Sequence, residues 1–114
     1  MKAKQFEIWL ADLNPTIGTE TGKVRPVIII QTDLLNKHHP SSIICPITTN
    51  IRKESEILRV HLKNGCFGLE DPCDIMIDQV RAIDKNRLIK KVSNIPSDLV
   101  NKVKSNLKIM FDIE

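Results

Sequence analysis

Apolar residues come in short runs over the first three quarters of the chain and at helical spacing over the last quarter. Short Ile- and Val-rich runs broken by Pro, Asn and Gly are the pattern of strands. Residues 6–13 form the first candidate, closed by the turn signal Asn14-Pro15. Residues 16–23 are polar, contain Gly18 and Gly22, and read as a long connecting loop. Residues 25–31 carry Val27, Ile28, Ile29 and Ile30, an unbroken apolar run that predicts a strand covered on both faces. Residues 42–48 are similar, and Pro46 predicts a sheet edge or a bulge there.

Residues 57–62 alternate, with Leu58, Val60 and Leu62 expected inward and Arg59 and His61 toward solvent. In residues 73–84 the phase slips: Ile75 and Ile77 mark one parity, Val80 and Ala82 the other. A bulge near Asp78 and Gln79 would account for the slip, and bulges re-aim side chains. Residues 87–92 read as a last strand. After Pro96, Leu99, Val100, Val103, Leu107, Met110 and Phe111 form one apolar stripe of a helix. Ser97 is its candidate cap, or Asn94 with Pro96 inside the first turn. The expected fold class is mainly β with a C-terminal helix (α+β). It is a strongly bent antiparallel sheet of six or seven strands, in a single domain over residues 1–114.

Composition narrows the function without choosing it. No apolar run in the 114 residues approaches the roughly 20 that span a bilayer. The N-terminal segment is interrupted by charges and lacks a small-residue cleavage site, so a cytoplasmic protein is expected. Phe6, Trp9, Phe67 and Phe111 are the only aromatics, a sparse supply for a module that stacks base after base on rings. The net charge is +3, from seven basic against six acidic residues over 1–57 and ten against eight over 58–114. That balance permits a nucleic-acid partner without requiring one. Cys45, Cys66 and Cys73 form an odd set without a C-x-x-C pair, and His38, His39 and His61 match no metal-ligand spacing. A disulfide framework and a zinc site are therefore not expected, and the polar stretch around His38, His39 and Pro40 reads as an exposed loop.

Three places carry chemistry. The 16–23 loop delivers Arg25 at the mouth of an apolar strand, and Pro26 forces Arg25 into an extended conformation. Taken alone, Arg25 reads first as half of a surface ion pair. Thr48 ends the next core strand, where a hydroxyl beside a guanidinium would suit a phosphate or an oxyanion. Asp78 and Gln79 sit at the expected bulge.

These residues belong to a longer pattern. Ile8-Trp9-Leu10-Ala11-Asp12-Leu13-Asn14-Pro15 is followed by Gly18-Thr19-Glu20 and by Lys23-Val24-Arg25-Pro26-Val27. Then come Pro46-Ile47-Thr48, Gly68-Leu69 and Asp78-Gln79-Val80-Arg81-Ala82-Ile83-Asp84. In this order and spacing the chain resembles the MazF/PemK (Kid) toxins, the sequence-specific endoribonucleases of bacterial type II toxin–antitoxin pairs. Two departures stand out: Phe6-Glu7 where the family often has Gly-Asp, and Thr21 where it often has Gln.

The resemblance implies an SH3-like barrel, a homodimer, and cleavage of single-stranded RNA with no cofactor and no metal. It places the catalytic guanidinium on Arg25 and its hydroxyl partner on Thr48. Substrate contacts would fall to Ile17, Thr19, Glu20, Thr21 and Lys23 on the loop, and to Asp78, Gln79 and Arg81. Lys23, Arg52 and Lys53 are available for phosphates. The base that takes the 2′-hydroxyl proton stays open, with Glu20 the nearest loop candidate and His61 a second. Partners implied are RNA and a cognate antitoxin with an acidic, partly disordered segment. DNA would be met only through the antitoxin complex, and no membrane is involved. Two other readings remain at this point: a toxin of the same barrel fold directed at DNA gyrase, as CcdB relatives are, and a non-catalytic barrel that binds RNA or protein.

Overall fold

The computed structural model describes residues 2–55, 57–63 and 71–114. Seven antiparallel strands form one bent sheet: β1 (Glu7–Asp12), β2 (Val24–Ile29), β3 (Ser41–Thr48), β4 (Arg59–Leu62), β5 (Cys73–Met76), β6 (Arg81–Asp84) and β7 (Leu88–Asn94). The order across the sheet is β4-β5-β3-β2-β1-β7, with β6 also paired to β3. The sheet is bent but not closed, since its path starts at β4 and ends at β7. A short helix α1 (Asp33–Asn36), absent from the sequence pattern, follows β2. The long helix α2 (Ser97–Phe111) ends the chain. Among the described residues no helix is long and apolar enough to cross a membrane.

Parity along the strands sorts the core into two layers. Ile8, Ile28, Cys45, Ile47, Val60, Leu62 and Ile75 pack on one face, against Val103 of α2. Trp9, Ala11, Val27, Ile29, Ile44, Ile83 and Leu88 pack on the other. The unbroken run in β2 is thus buried on both sides, as its pattern predicts. Leu99, Val100, Leu107 and Met110 of α2 join the first layer. Phe111, expected in that stripe, is 53% exposed at the helix end and does not join the core.

Several sequence expectations change. Pro46 does not mark an edge: β3 is paired on both sides, to β2 on one and to β6 and β5 on the other. On that second side β6 reaches Ile44 and β5 begins at Ile47, so Pro46 lies beside the gap between them. A missing N–H is tolerated at such a break. The expected bulge is a 3-10 turn over Ile77–Gln79 that fills this gap. Beyond it Ile83, not Ala82, faces the core. The helix takes neither expected cap: Pro96 occupies that position, without a side-chain hydrogen bond. Leu58 is half-buried just before β4, in the left-handed region at φ 71°. Its N–H donates to Oδ1 of the buried Asn106 of α2 at 2.6 Å. Arg59 and His61 do not face solvent, for the reason given below. Cys45 and Cys73 are buried free thiols, and burial pushes the Cys45 thiol up to about 12. Cys66, Phe67 and the Gly68-Leu69 pair lie outside the described residues.

Glu7 is buried and makes three polar contacts. Its Oε1 accepts from the Lys4 N–H at 2.8 Å and from Trp9 Nε1 at 3.0 Å, and its Oε2 meets Lys91 Nζ at 3.0 Å. Burial alone would raise this carboxyl, but the donors hold it below its ordinary value. Glu7→Ala should therefore lower the urea unfolding free energy by about 2–3 kcal/mol, with an unchanged m-value. Because the folded-state pKa is depressed, the charge contributes above the unfolded carboxyl range and is lost as pH falls through the folded value. The stability gap between the native chain and Glu7→Gln should close on acidification. A gap that stays constant from neutral to acid pH would contradict this account.

Candidate functional site

The ladder registers place four chemically active side chains on one face of the sheet. Arg25 of β2 pairs with Ala11 of β1. The β2–β3 ladder ends with Val27 against Pro46, and Arg25 and Thr48 each lie two residues past that pair, on its face of the sheet. Thr48 pairs with Asp74 of β5, and Asp74 with His61 of β4. Directly opposed residues point to the same face, with Cα atoms about 4.5–5.5 Å apart. Thr48, Asp74 and His61 therefore line one row of the sheet, with Arg25 on the same face of the neighbouring strand.

Each member is held. The 13–23 loop is closed by the Leu13 N–H donating to the Lys23 carbonyl at 3.0 Å, and the Lys23 N–H donates to Asn14 Oδ1 at 2.9 Å. Arg87 fastens its base by donating to the carbonyls of Asp12 and Asn14. Within it, the Gly22 carbonyl accepts from Arg25 Nε at 2.8 Å, fixing the plane of the guanidinium. Burial draws the Arg25 pKa below its ordinary value, and an arginine so placed still carries its proton at neutral pH. Thr48 Oγ1 accepts from the Asn50 N–H at 3.1 Å. With that lone pair engaged, the hydroxyl hydrogen is available to a further acceptor.

Asp74 is fully buried, which the sequence pattern of a mid-strand acid did not announce. Its Oδ2 accepts from the Arg52 N–H at 2.9 Å and from Arg59 Nη1 at 3.1 Å. Its Oδ1 lies 2.6 Å from His61 Nδ1, and His61 Nε2 lies 2.9 Å from the Ser55 carbonyl. Arg59 Nη1 also donates to the Asn50 carbonyl at 3.0 Å. Burial would raise this carboxyl, but the Arg52, His61 and Arg59 donors hold it low. This explains why Arg59 and His61 turn inward: a desolvated carboxylate requires them. Both ring nitrogens of His61 are engaged, so His61 is a structural partner here. Sequence reasoning missed Asp74, and its only signal was an acid inside an otherwise apolar strand, Cys73–Met76.

The remaining candidates fall into two groups. Asp78 and Gln79, on the 3-10 turn that follows β5, line a cleft of ≈ 300 Å³ with Arg52, Ser55, Ile57 and Arg59. Ile17, Thr19, Glu20 and Lys23 are exposed on the loop and Thr21 is half-buried; Ile17 is 83% exposed. Glu20 Oε1 accepts from the Ile17 N–H at 2.6 Å, so this carboxylate shapes the loop. Lys53 lines a different cavity, beside His61 and Asp74. Arg81 is set apart: it pairs with Ile44, four residues along β3 from Thr48, or about 13 Å at strand rise. Its Nη1 is buried without a hydrogen-bond partner among the described residues.

Residues 4–111 match the family model described as the PemK-like, MazF-like toxin of type II toxin–antitoxin systems. Endoribonuclease EndoA of Bacillus subtilis (strain 168) is 36% identical over 109 residues, covering 96% of this chain and 94% of the relative. The crystal structure of MazF from Deinococcus radiodurans has the same fold, with a TM-score of 0.84 at 19% identity over 99% of both chains. A chain in a MazE–MazF crystal structure from the same organism matches with a TM-score of 0.80 at 19% identity, covering 100% of this chain and 99% of that one.

Gly22 is the position on which the Arg25 geometry can be tested directly. A Cβ there would stand 2.8 Å from Thr16 Cγ2 and 2.9 Å from Asn14 Oδ1, inside contact distance for both. Gly22→Ala should push Asn14 off the Lys23 N–H and free Arg25 Nε from the Gly22 carbonyl. The expected result is a shifted, faster-exchanging Arg25 Nε–H resonance in NMR, with the sheet signals unchanged. An Nε–H resonance identical to that of the native chain would contradict the assigned geometry.

Proposed function

The chain belongs to the PemK-like, MazF-like toxins of type II toxin–antitoxin systems, and as a member of that family it is an endoribonuclease toxin; we propose that it cuts single-stranded RNA at the Arg25–Thr48 pair by a metal-independent transesterification. The observation that carries this reading is the alignment of a half-buried guanidinium and a donor-ready hydroxyl on adjacent strands. RNA brings its own nucleophile. The 2′-oxygen bonds to the adjacent phosphorus as its proton leaves, the bond from phosphorus to the 5′-oxygen breaks, and that oxygen takes up a proton. The products are a 2′,3′-cyclic phosphate and a 5′-hydroxyl. Arg25 offsets charge on the phosphoryl group and faces the departing 5′-oxygen, and Thr48 donates to a non-bridging oxygen.

Base recognition belongs, on this reading, to the loop and the cleft. Asp78 and Gln79 offer acceptors and donors to exposed base edges in a splayed strand. Ile17, Thr19, Glu20 and Thr21 on the loop would contact further bases, with Lys23 and Arg52 for phosphates. Arg81, half-buried and set apart, would meet a more distant part of the strand. A homodimer would double this surface, and an acidic antitoxin segment would cover it. The MazE–MazF pairing of a protein with this fold supports the antitoxin as partner.

Incubation with a long single-stranded RNA in excess chelator tests the reading. The native chain should cleave, and Arg25→Ala and Thr48→Ala should each lose on the order of 10²-fold or more in rate, with circular dichroism unchanged. Intact RNA with the folded native chain, or full cleavage by Arg25→Ala, would overturn it.

A further inference from the structure

We propose that Asp74 is a positioning residue for the Thr48 hydroxyl, acting through Arg59 and Asn50; this rests on the reading of Thr48 as a phosphate-directed donor. The connection is continuous. Asp74 Oδ2 anchors Arg59 Nη1 at 3.1 Å, and the same Nη1 grips the Asn50 carbonyl at 3.0 Å. The N–H of Asn50 then donates to Thr48 Oγ1 at 3.1 Å. A threonine hydroxyl at a strand end can rotate among three staggered positions. Occupying its oxygen with the Asn50 N–H selects the rotamers in which the hydrogen points away from Asn50. Asn50 lies in an exposed bend outside the ladder, and Arg59 holds this bend by the Asn50 carbonyl, in the peptide unit next to the one that carries the Asn50 N–H.

The carboxylate reaches further along the same segment. Its Oδ2 also holds the Arg52 N–H, and through Oδ1 it holds His61, whose Nε2 reaches the Ser55 carbonyl. Positions 50, 52 and 55 are thus all tied to one buried acid. Arg52, Ser55 and Arg59 form a wall of the cleft that contains Asp78 and Gln79. Asp74 itself is fully buried and makes no contact with solvent. It acts on a reaction it does not touch.

The role is geometric, so an isostere should preserve it. In Asp74→Asn the amide oxygen can still accept from Arg52 and Arg59. Its NH₂ can donate to His61 Nδ1 while Nε2–H donates to Ser55. Asp74→Ala removes every tie, whereas Arg59→Ala removes the link to Asn50 and one donor to Asp74, leaves the Arg52 and His61 donors in place, and falls at a half-buried site less apt to prevent folding. Single-turnover cleavage should show a loss in kcat of about tenfold or more for Asp74→Ala and Arg59→Ala. KM should change by less than about threefold for Arg59→Ala, and Asp74→Asn should fall within about threefold of the native rate. Combining Arg59→Ala with Thr48→Ala should be no slower than Thr48→Ala alone, because both act through one hydroxyl. Losses that multiply, or an Asp74→Asn variant as slow as Asp74→Ala, would overturn the inference. Hydrogen exchange separates this from failure of the RNA reading. The Asn50 amide should exchange at least about tenfold faster in Arg59→Ala, whether or not RNA is cut. An unchanged Asn50 amide would overturn the relay by itself.

Discussion

Removing a carboxylate from water costs several kcal/mol unless it is fully hydrogen-bonded, and Asp74 is a carboxylate with no exposed surface. The cost is offset by donors from two segments: the Arg52 backbone in the β3–β4 connection, and Arg59 and His61 on β4. Satisfying one buried charge thus dictates where a strand and its preceding loop must lie. β4 is only four residues long and sits at the end of the sheet, where ladder bonds alone hold it on one side. The Asn106 bond to the Leu58 N–H fixes its entry from the helix side. Between them, a buried acid and a buried amide set a segment that apolar packing would leave loosely specified.

The sheet supplies the other half of the arrangement. With apolar layers on both faces of β1, β2 and β3, a one-residue slip of register would move every core side chain to the wrong layer. The same registers carry Thr48, Asp74 and His61 into one row and leave Arg25 on the same face of the neighbouring strand. A site built in this way inherits its precision from the core. The loop over residues 13–23 adds only the last constraint, the Gly22 carbonyl on Arg25, and Arg87 of the neighbouring turn holds that loop at its base.

Much of this was legible in the residue pattern. Runs such as Val27 to Ile30 report burial on both faces, and the stripe from Leu99 to Met110 reports a helix, because both follow from local periodicity. Arg25, Thr48, Asp78 and Gln79 stood out through their motif. What escaped was non-local. Arg59 and His61 alternate with Val60 and Leu62 and so read as solvent-facing, yet they turn toward an acid on the next strand. Pro46 read as an edge residue because the split pairing of β3 between β5 and β6 depends on a turn thirty residues away. Asp74 gave only a weak signal, an acid inside an otherwise apolar strand, and its donors lie too far along the chain for local pattern to reveal them.

Chemistry follows from this frame with few parts. A guanidinium, a hydroxyl aimed by its neighbours and a substrate that carries its own nucleophile are sufficient, and the protein's work is to hold them in line. The most direct measurement is the chemistry of the cut ends on an RNA cleaved by the native chain. The account predicts a 2′,3′-cyclic phosphate on the upstream fragment and a 5′-hydroxyl on the downstream one. A 5′-phosphate with a 3′-hydroxyl would mean that water attacked in place of the 2′-hydroxyl, and would contradict it.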